Sequence, residues 1–493
     1  MSTDKFEKIQ NPYSAGNPVK SAEMFFGREE NFKRVEEWVL HDGPHVILLI
    51  GERRSGKTSI LKQIEGGHLQ HAGAAVFCNF QAMAARIHQD DDFPREIAEA
   101  ILETPTFYTL REQFLGENTT ESWTARLIQL FTQCLELAPS NRMIMLCDEF
   151  ESIEELFKEG ILSKKAWYWV KPILTQPVYF VMTSSHGFED ETVTDLLDVV
   201  SQQMPVHELE KRDALALIQN PVKGVVTYEE SALQLIYRLA GGHPFYTQFI
   251  CQNLISHINA ETRRNSITPD DVEQVIKFII KNPAGHLQEM WRDPVRRKQQ
   301  SPQREQLINQ IRHTLAALAH TLAVPADYAD AGDILQTAQN KRFKIKEQSE
   351  LFRTLGWLYK NTRLVERNNE EAYRFRHELF RRWLLHEIQY GEEIEDEAIP
   401  ASGQHKDEIN LLENEARAFS HRLKILLQDG PILLAEREEL DEIAATEGLS
   451  STQAEKYEQR LRRQWHKLPW SWIEEYRESC RALQTIHGKH IPD

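Results

Sequence analysis

The sequence is short of cysteine, of long apolar runs and of net positive charge. Its five cysteines are scattered, with no Cys-x-x-Cys spacing, which is typical of reduced and mostly buried thiols. No apolar run approaches the ~20 residues that a membrane-spanning helix needs. The first ten residues are polar and do not resemble a signal peptide, so we expect a cytoplasmic protein without membrane contact.

Acidic residues outnumber basic residues by 75 to 58, and the net charge is −17. This balance argues against a protein that coats nucleic acid, although it is compatible with a local basic face. Apolar residues make up 41% of the chain, an ordinary share for a globular protein. The length of 493 residues predicts about three domains at ~100–200 residues each.

The most specific motif lies between residues 45 and 61. Val46–Ile50 is a short run of β-preferring apolar residues, long enough for one buried strand. Positions 51–58 read GERRSGKT, which matches the phosphate-loop pattern G-x-x-x-x-G-K-[ST], and apolar residues at helical spacing follow. The alternative is a chance match, which is disfavoured because the motif stands between a strand and a helix.

The chemistry of phosphate binding explains this layout. Gly51 and Gly56 allow tight bends, so that backbone N–H groups can point at the phosphates. The N-terminus of the following helix faces the same anion. Lys57 can reach the β- and γ-phosphates, and the Thr58 hydroxyl can ligate Mg²⁺.

A second motif follows the apolar run at 143–147. Asp148 and Glu149 come directly after it. A carboxylate at the tip of a strand beside a phosphate loop holds Mg²⁺, and the next carboxylate can orient the attacking water. We therefore assign Asp148 to the metal, and Glu149 and Lys57 to catalysis. The alternative is an Asp-Glu pair that only begins a helix.

The next apolar run, 178–182, ends in Thr183, Ser184 and Ser185. Small hydroxyl side chains at a strand tip suit a sensor that contacts the γ-phosphate or the water. The sequence does not distinguish the three hydroxyls, and we choose Ser184 as the catalytic candidate. An ordinary turn built from Ser and Thr is the alternative.

Strands and helices alternate over residues 1–209, which predicts an α/β domain. Its parallel sheet would be covered by helices on both faces, with the ligand outside the carboxyl ends of the strands. Further strands are expected at 74–78 and 203–209. We assign residues 1–209 to a core with the fold of P-loop nucleotide hydrolases.

The remaining residues are mostly helical. Residues 210–285 are predicted to form a helical lid, in which Thr268 caps a helix and Pro269 fits its first turn. Residues 286–390 follow the helix–helix–hairpin order of a winged-helix domain. The basic positions 292–298 are interpreted as a solvated helix face.

The last hundred residues have two predicted parts. The acidic stretch 391–403 is a linker, and 404–493 is a small all-α module. Helices are expected at 411–427, at 433–446 and from 450 onward. Trp465, Trp470 and Trp472 lie among basic residues, which would allow stacking on bases, but core packing is favoured in so small a module.

The combined motifs resemble the STAND class of signalling P-loop ATPases, in particular its archaeal-type, AAA-like branch. The resemblance covers about residues 8–390. It is carried by NPY at 11–13, FFGRE at 25–29, GERRSGKTS at 51–59, MLCDEFE at 145–151, VMTSS at 181–185 and GGHPF at 241–245.

This resemblance implies a sheet order of 5-1-4-3-2. In that family the Gly-Arg-Glu stretch flanks the adenine, and the lid Gly-x-Pro contacts the base or ribose side. Many members carry a sensor arginine after the fourth strand, where this chain has Ser185. Together with the phosphate loop, the nucleotide-binding residues would be Phe26, Gly27, Arg28, Gly51, Arg54, Ser55, Gly56, Lys57, Thr58, Ser59, Gly242 and Pro244.

The main hypothesis is a switch that binds ATP and Mg²⁺ between sheet and lid and hydrolyses the ATP. The resemblance implies an intracellular signal transducer that forms homo-oligomers in the ATP state, with bacterial antiviral defence as its setting. The module at 404–493 would recruit a protein partner.

Two rival hypotheses remain at this point. One is an origin-recognition-like DNA-binding ATPase, which shares the lid and the winged helix. The acidic net charge counts against it, as do Glu366, Glu370 and Glu371 in the expected wing, so nucleic acid is not the favoured partner. The other rival is a nucleotide-binding scaffold with negligible turnover.

Overall fold

The computed structural model divides the chain into two compact units, Met1–Ile394 and Glu395–Asp493. The predicted linker at 391–403, nearly all of the module at 404–493 and the basic positions 296–298 lie outside the described residues. The described residues are 7–115, 121–187, 193–194, 197, 201–262, 264–283, 285–292, 294–295, 302–322, 328–345 and 347–390, with a few positions between 419 and 454.

Five strands of the first unit form one parallel sheet. They are β1 (Val46–Ile50), β2 (Ala74–Asn79), β3 (Met143–Asp148), β4 (Val178–Ser184) and β5 (Ser201–Pro205). Their order across the sheet is β2-β3-β4-β1-β5, with each neighbouring pair parallel. The implied order 5-1-4-3-2 is therefore confirmed.

The central strands are apolar throughout because both faces of the sheet are covered. Val46 and Leu48 pack into the core on one face, and Ile47 and Leu49 pack into the core on the other. Helices α1 and α2 cover the second of these faces, as the alternation of strands and helices predicted. The sheet-domain helices are α1 (Glu29–Leu40), α2 (Lys57–Gln63), α3 (Phe80–Ala84), α4 (Asp92–Leu102), α5 (Arg111–Leu115), α6 (Trp123–Leu137), α7 (Glu151–Lys158) and α8 (Val170–Ile173).

The predicted fifth strand is present, but it begins two residues and ends four residues earlier than the expected 203–209. Strand β5 pairs with β1 from Ser201 opposite Val46 to Pro205 opposite Ile50. Its first three residues are polar, since β5 lies at the edge of the sheet and needs no apolar pattern. The apolar residues that suggested a later strand belong to the segment that leaves the sheet, where Leu209 N–H donates to a carbonyl oxygen of the lid.

The lid contains four helices and one short pair of parallel strands that the sequence did not predict. Thr268 and Asp271 form the capping box of the last helix, with Pro269 in its first turn, as expected for Thr268 and Pro269. The elements are α9 (Lys211–Gln219), β6 (Thr227–Tyr228), α10 (Glu230–Ala240), α11 (Pro244–His257), β7 (Ser266–Ile267) and α12 (Pro269–Lys281).

The next part of the chain, residues 285–390, is called the helix-and-hairpin region. Its last helix buries Leu379, Phe380 and Trp383. The order of helices and hairpin is the expected one, and its assignment as a winged helix stays a prediction. The elements are α13 (Gly285–Arg292), α14 (Pro302–Thr321), α15 (Ala331–Lys341), α16 (Gln348–Asn361), β8 (Val365–Arg367), β9 (Tyr373–Phe375) and α17 (Glu378–Tyr390).

Short helical turns connect several of these elements. Within the described residues, every helix is too short or too polar to cross a membrane. The 3₁₀ turns are Ala22–Met24, Pro105–Leu110, Pro139–Asn141, Lys164–Trp167 and Asn220–Val222, and the π turns are Ile64–His68 and Ile258–Thr262.

We expect Thr268→Ala to lower the free energy of unfolding of the lid by about 1 kcal/mol, because the helix loses its side-chain cap. Thr268→Ser keeps a hydroxyl and is the matched control. Urea unfolding followed by circular dichroism, with amide hydrogen exchange over residues 269–273, measures the loss. Equal midpoints and equal exchange for the alanine and serine variants would contradict the capping role.

Candidate active site

The phosphate loop joins the end of β1 to the start of α2. Gly56 has a φ of +100°, in the left-handed region that glycine adopts without strain. Gly51 is required for another reason, because a Cβ there would lie 2.6 Å from the carbonyl oxygen of Val206. The sequence suggested a tight bend at both glycines, whereas at Gly51 the structure shows two chain segments in close contact.

Lys57 begins α2, and its side chain turns back over the loop. Its Nζ donates hydrogen bonds to the carbonyl oxygens of Gly51 at 2.7 Å and of Glu52 at 2.9 Å. Lys57 also lines the cleft described below. The ammonium group is therefore held where the motif requires a cation for the β- and γ-phosphates.

The Asp148 carboxylate accepts hydrogen bonds from two hydroxyl groups. Its Oδ1 accepts from Thr58 Oγ1 at 3.1 Å and from Thr183 Oγ1 at 2.6 Å. Asp148 ends β3, Thr183 lies near the end of β4 and Thr58 lies in α2, so one oxygen connects three elements. The predicted metal residues Thr58 and Asp148 thus lie together, and their oxygens are of the kind that Mg²⁺ prefers.

Thr183, and not Ser184, is the hydroxyl residue that faces this cluster. Strand β4 runs through both residues, and successive side chains of a strand point to opposite faces. Thr183 and Ser184 are both buried, but only Thr183 lines the cleft, together with Ser185, whereas Ser184 Oγ accepts the N–H of His186 at 3.3 Å. The structure therefore corrects the choice of Ser184, and Thr183 replaces it as the candidate.

Glu149 lies next to Asp148 in a strained backbone conformation. Its φ is +56°, which is uncommon for a residue with a Cβ, and its N–H donates to Thr183 Oγ1 at 2.9 Å. Burial raises the pKa of Glu149, and the charges of Asp148 and Glu151 raise it further. Strain and a raised pKa are both typical of functional positions, and a less acidic carboxyl group is better suited to accept a proton from water.

A cleft of about 930 Å³ opens at the carboxyl ends of the strands. Asp148 and Glu149 line it, together with all the predicted nucleotide-binding residues except Gly27, Gly51 and Gly242. These three glycines allow close packing around the cleft, since a Cβ at any of them would collide with a neighbouring segment. The structure therefore brings nine of the twelve predicted residues together in one cleft and places the other three, all glycines, in the close packing around it.

Arg28, expected beside the adenine, also supports the phosphate loop. Its side chain is buried, and Nη2 donates a hydrogen bond to the carbonyl oxygen of Ser55 at 2.9 Å. Burial lowers the pKa of Arg28 to about 10, although the charges of Glu208 and Asp213 oppose this effect. Arg28 lines the cleft while holding the loop, a positioning contact that the motif did not reveal.

Residues 9–19, called the N-terminal strap, connect the lid to the sheet domain. Tyr13 donates its hydroxyl hydrogen to the carbonyl oxygen of Ile218 at 2.5 Å. At the other end, Val19 N–H donates to Ser59 Oγ in α2 at 3.0 Å. Positions 16–19 line the cleft, and sequence reasoning missed them as site residues. The Asn-Pro pairs at 11–12 and 17–18 indicate turns in this segment, but they do not predict which residues it contacts.

The lid reaches the phosphate loop through an arginine–aromatic contact. The guanidinium carbon of Arg54 lies 4.3 Å from the ring centroid of Phe245, which follows the predicted Pro244. All three residues line the cleft. Cations over aromatic faces attract electrostatically, so this contact connects lid and loop. Arg53 instead forms an exposed ion pair with Glu289 at 2.9 Å.

A phosphate loop on a 5-1-4-3-2 sheet, with Asp148 and Glu149 at the tip of β3, defines an AAA-like P-loop ATPase. The protein is an ATP-hydrolysing enzyme of this class. Residues 25–250 match the profile of the ATPase_2 family, described as an ATPase domain predominantly from Archaea. No curated protein sequence matches the chain.

Several solved structures are similar in outline. The Walker-type ATPase PABY2304 of Pyrococcus abyssi is 16% identical, with 75% of this chain and 99% of that chain covered and a TM-score of 0.48. The ORC2 protein of Aeropyrum pernix is 14% identical, with 77% and 96% covered and a TM-score of 0.45. Cdc6p from Pyrobaculum aerophilum is 15% identical, with 79% and 99% covered and a TM-score of 0.35. With these scores below 0.5, the class rests on the site and the family match.

We expect Glu149→Gln to retain ATP binding while its turnover falls by about 10²–10⁴-fold, because the amide cannot accept a proton from water. Lys57→Ala should instead lose ATP binding, since the phosphates lose their cation. Phosphate release and binding of a fluorescent ATP analogue measure the two effects, with the exposed Glu30→Gln as the control. Normal turnover in Glu149→Gln would remove Glu149 from the mechanism.

Proposed function

We propose that ATP binds in the cleft between the sheet domain and the lid, with Mg²⁺ held by Thr58 and Asp148. The cleft volume of about 930 Å³ suits a nucleotide, and its lining comes from both parts of the chain. When bound, Mg²⁺ would neutralise charge on the phosphate oxygens. Lys57 and the backbone N–H groups of the loop bind the same phosphates.

Glu149 is the proposed catalytic carboxylate of this site. It lines the cleft beside Asp148, and its position next to the Thr183 hydroxyl is fixed by a backbone hydrogen bond. From this position the carboxylate orients the attacking water and accepts its proton. Thr183 keeps the Asp148 carboxylate in place and is a positioning residue.

The observation that supports a switch is that three separate parts of the chain contact the phosphate loop and its helix. The lid does so through Phe245 and Arg54, and the N-terminal strap through Val19. The helix-and-hairpin region does so through Arg363, whose N–H donates to Glu52 Oε1 at 3.1 Å. A nucleotide that moves the loop would therefore bias the positions of all three parts.

The particular switch that we propose is a STAND-type signal transducer. ATP binding would favour oligomerisation of the chain, and residues 404–493 would recruit a protein partner. Hydrolysis would remove the γ-phosphate and return the switch to its resting state. Bacterial antiviral defence is the proposed setting, on the strength of the motif resemblance alone.

We expect a slowly hydrolysed ATP analogue with Mg²⁺ to increase the particle mass at least to that of a dimer, as measured by light scattering. Lys57→Ala, which cannot bind the analogue, should keep its original mass. Glu149→Gln should assemble with ATP itself because hydrolysis no longer reverses the step. An unchanged mass for the wild-type protein across a wide concentration range would refute nucleotide-driven assembly.

The alternative, a DNA-binding ATPase, finds little support in the expected wing, β8–β9. Arg367 forms an ion pair with Glu371 at 3.3 Å, and Arg374 pairs with Glu366. Cations that already have carboxylate partners contribute less to phosphate binding. The wing therefore offers DNA a nearly neutral surface.

We expect no measurable affinity for duplex DNA in gel shifts at about 50 mM and 200 mM salt. The double variant Glu366→Gln, Glu371→Gln, which releases both arginines, should bind more tightly at the lower salt concentration than the wild-type protein does. An affinity of the wild-type protein that falls steeply with salt would favour the DNA-binding alternative.

A further inference from the structure

Three side chains from distant parts of the chain converge outside the cleft. Glu52 is the second residue of the phosphate loop, Glu208 follows β5, and His377 immediately precedes α17. One carboxylate oxygen from each glutamate and one ring nitrogen of His377 lie within 4.8 Å of one another. None of the three residues lines the ATP cleft, so the cluster is separate from the active site.

His377 carries a lone pair on a buried ring nitrogen. The residue is only 1% exposed, and its Nδ1 lies 2.9 Å from the carbonyl oxygen of Ala240. A carbonyl oxygen accepts only, so the ring hydrogen lies on Nδ1 and the lone pair on Nε2. Within the described part of the chain, Nε2 has no hydrogen-bond partner. Burial lowers the pKa of His377, which favours the neutral form that ligates metals.

Each of the two glutamates also has a partner outside the cluster. Glu52 Oε1 accepts the Arg363 N–H at 3.1 Å, while its buried Oε2 has no hydrogen-bond partner among the described residues. Glu208 Oε2 lies 3.5 Å from Arg376 Nη1. Each residue is thus held by a neighbour outside the cluster, which is the arrangement that fixes metal ligands in proteins.

The types of ligand atom in the cluster determine which metal ions it can bind. One imidazole with two carboxylates suits Zn²⁺ or a similar divalent transition metal, whereas Mg²⁺ and Ca²⁺ prefer oxygen ligands alone. Ligand distances of about 2.0–2.2 Å would require the three atoms, which lie within 4.8 Å of one another, to move closer together. The guanidinium of Arg376 offsets part of the negative charge, so we expect a site of moderate affinity.

We propose that Glu52, Glu208 and His377 bind a divalent transition metal ion, with Zn²⁺ as the representative. The ion connects the phosphate loop, the segment that follows β5 and the helix-and-hairpin region at one point. It stabilises the contact between the loop and this region without taking part in hydrolysis.

The test is a titration of nucleotide-free, chelator-treated protein with Zn²⁺, in the presence of excess Mg²⁺ to occupy the active site. The chain has 19 histidines, and surface histidines bind Zn²⁺ weakly. The proposed site is therefore measured as the difference in Zn²⁺ stoichiometry between variants. The wild-type protein should bind one more equivalent than His377→Gln. The control is His71→Gln, because His71 also contacts a glutamate, Glu36, but on the exposed surface.

Co²⁺ provides a second readout, because its visible absorption reports nitrogen and carboxylate ligands. The wild-type protein and His71→Gln should show this band, and both His377→Gln and Glu208→Gln should lose it. Should His377→Gln fail to fold, Glu208→Gln decides the result, with folding checked by circular dichroism. Equal stoichiometry in all variants, or no band in the wild-type protein, would overturn the proposal.

Discussion

The arrangement of side chains in the active site depends on the carboxylate of Asp148. Strand β4 lies between β1 and β3, so the phosphate loop and Asp148 are not direct neighbours in the sheet. The Thr183 hydroxyl occupies the space between them and donates to the same oxygen that Thr58 reaches from α2. Because of this strand order, the Asp148 oxygen accepts hydrogen bonds from two side chains of separate segments, and Glu149 lines the same cleft.

Several separate segments of the first unit contact the phosphate loop. Its carbonyl oxygens accept from Lys57 and Arg28, and its exposed side reaches the lid through Arg54. A loop with so many neighbours cannot change its shape without a response in the segments that touch it. The proposed switch would use these contacts to convert the binding energy of a triphosphate into a shift between lid and sheet.

The sequence was most informative where the signal was local. Apolar runs revealed the buried strands, and the spacing of the phosphate loop predicted the helix that begins at Lys57 and Thr58, both of which line the cleft. Ser184 was misplaced because a shift of one residue along a strand exchanges the two faces of the sheet, and strand ends are known least well from sequence. The strap contacts and the Arg28–Ser55 bond depend on folding of distant segments, which local patterns do not encode. The bounds of strand β5 were displaced by a few residues because an edge strand carries no apolar signature.

That polar edge has a consequence for assembly. The sheet ends at β5, whose Gln202 and Gln203 side chains face solvent and whose Pro205 has no N–H to offer an additional strand. Exposed sheet edges are the commonest template for uncontrolled pairing between chains, and this one is blunted by its composition. Pairing of two copies of the protein through the β5 edge is therefore disfavoured.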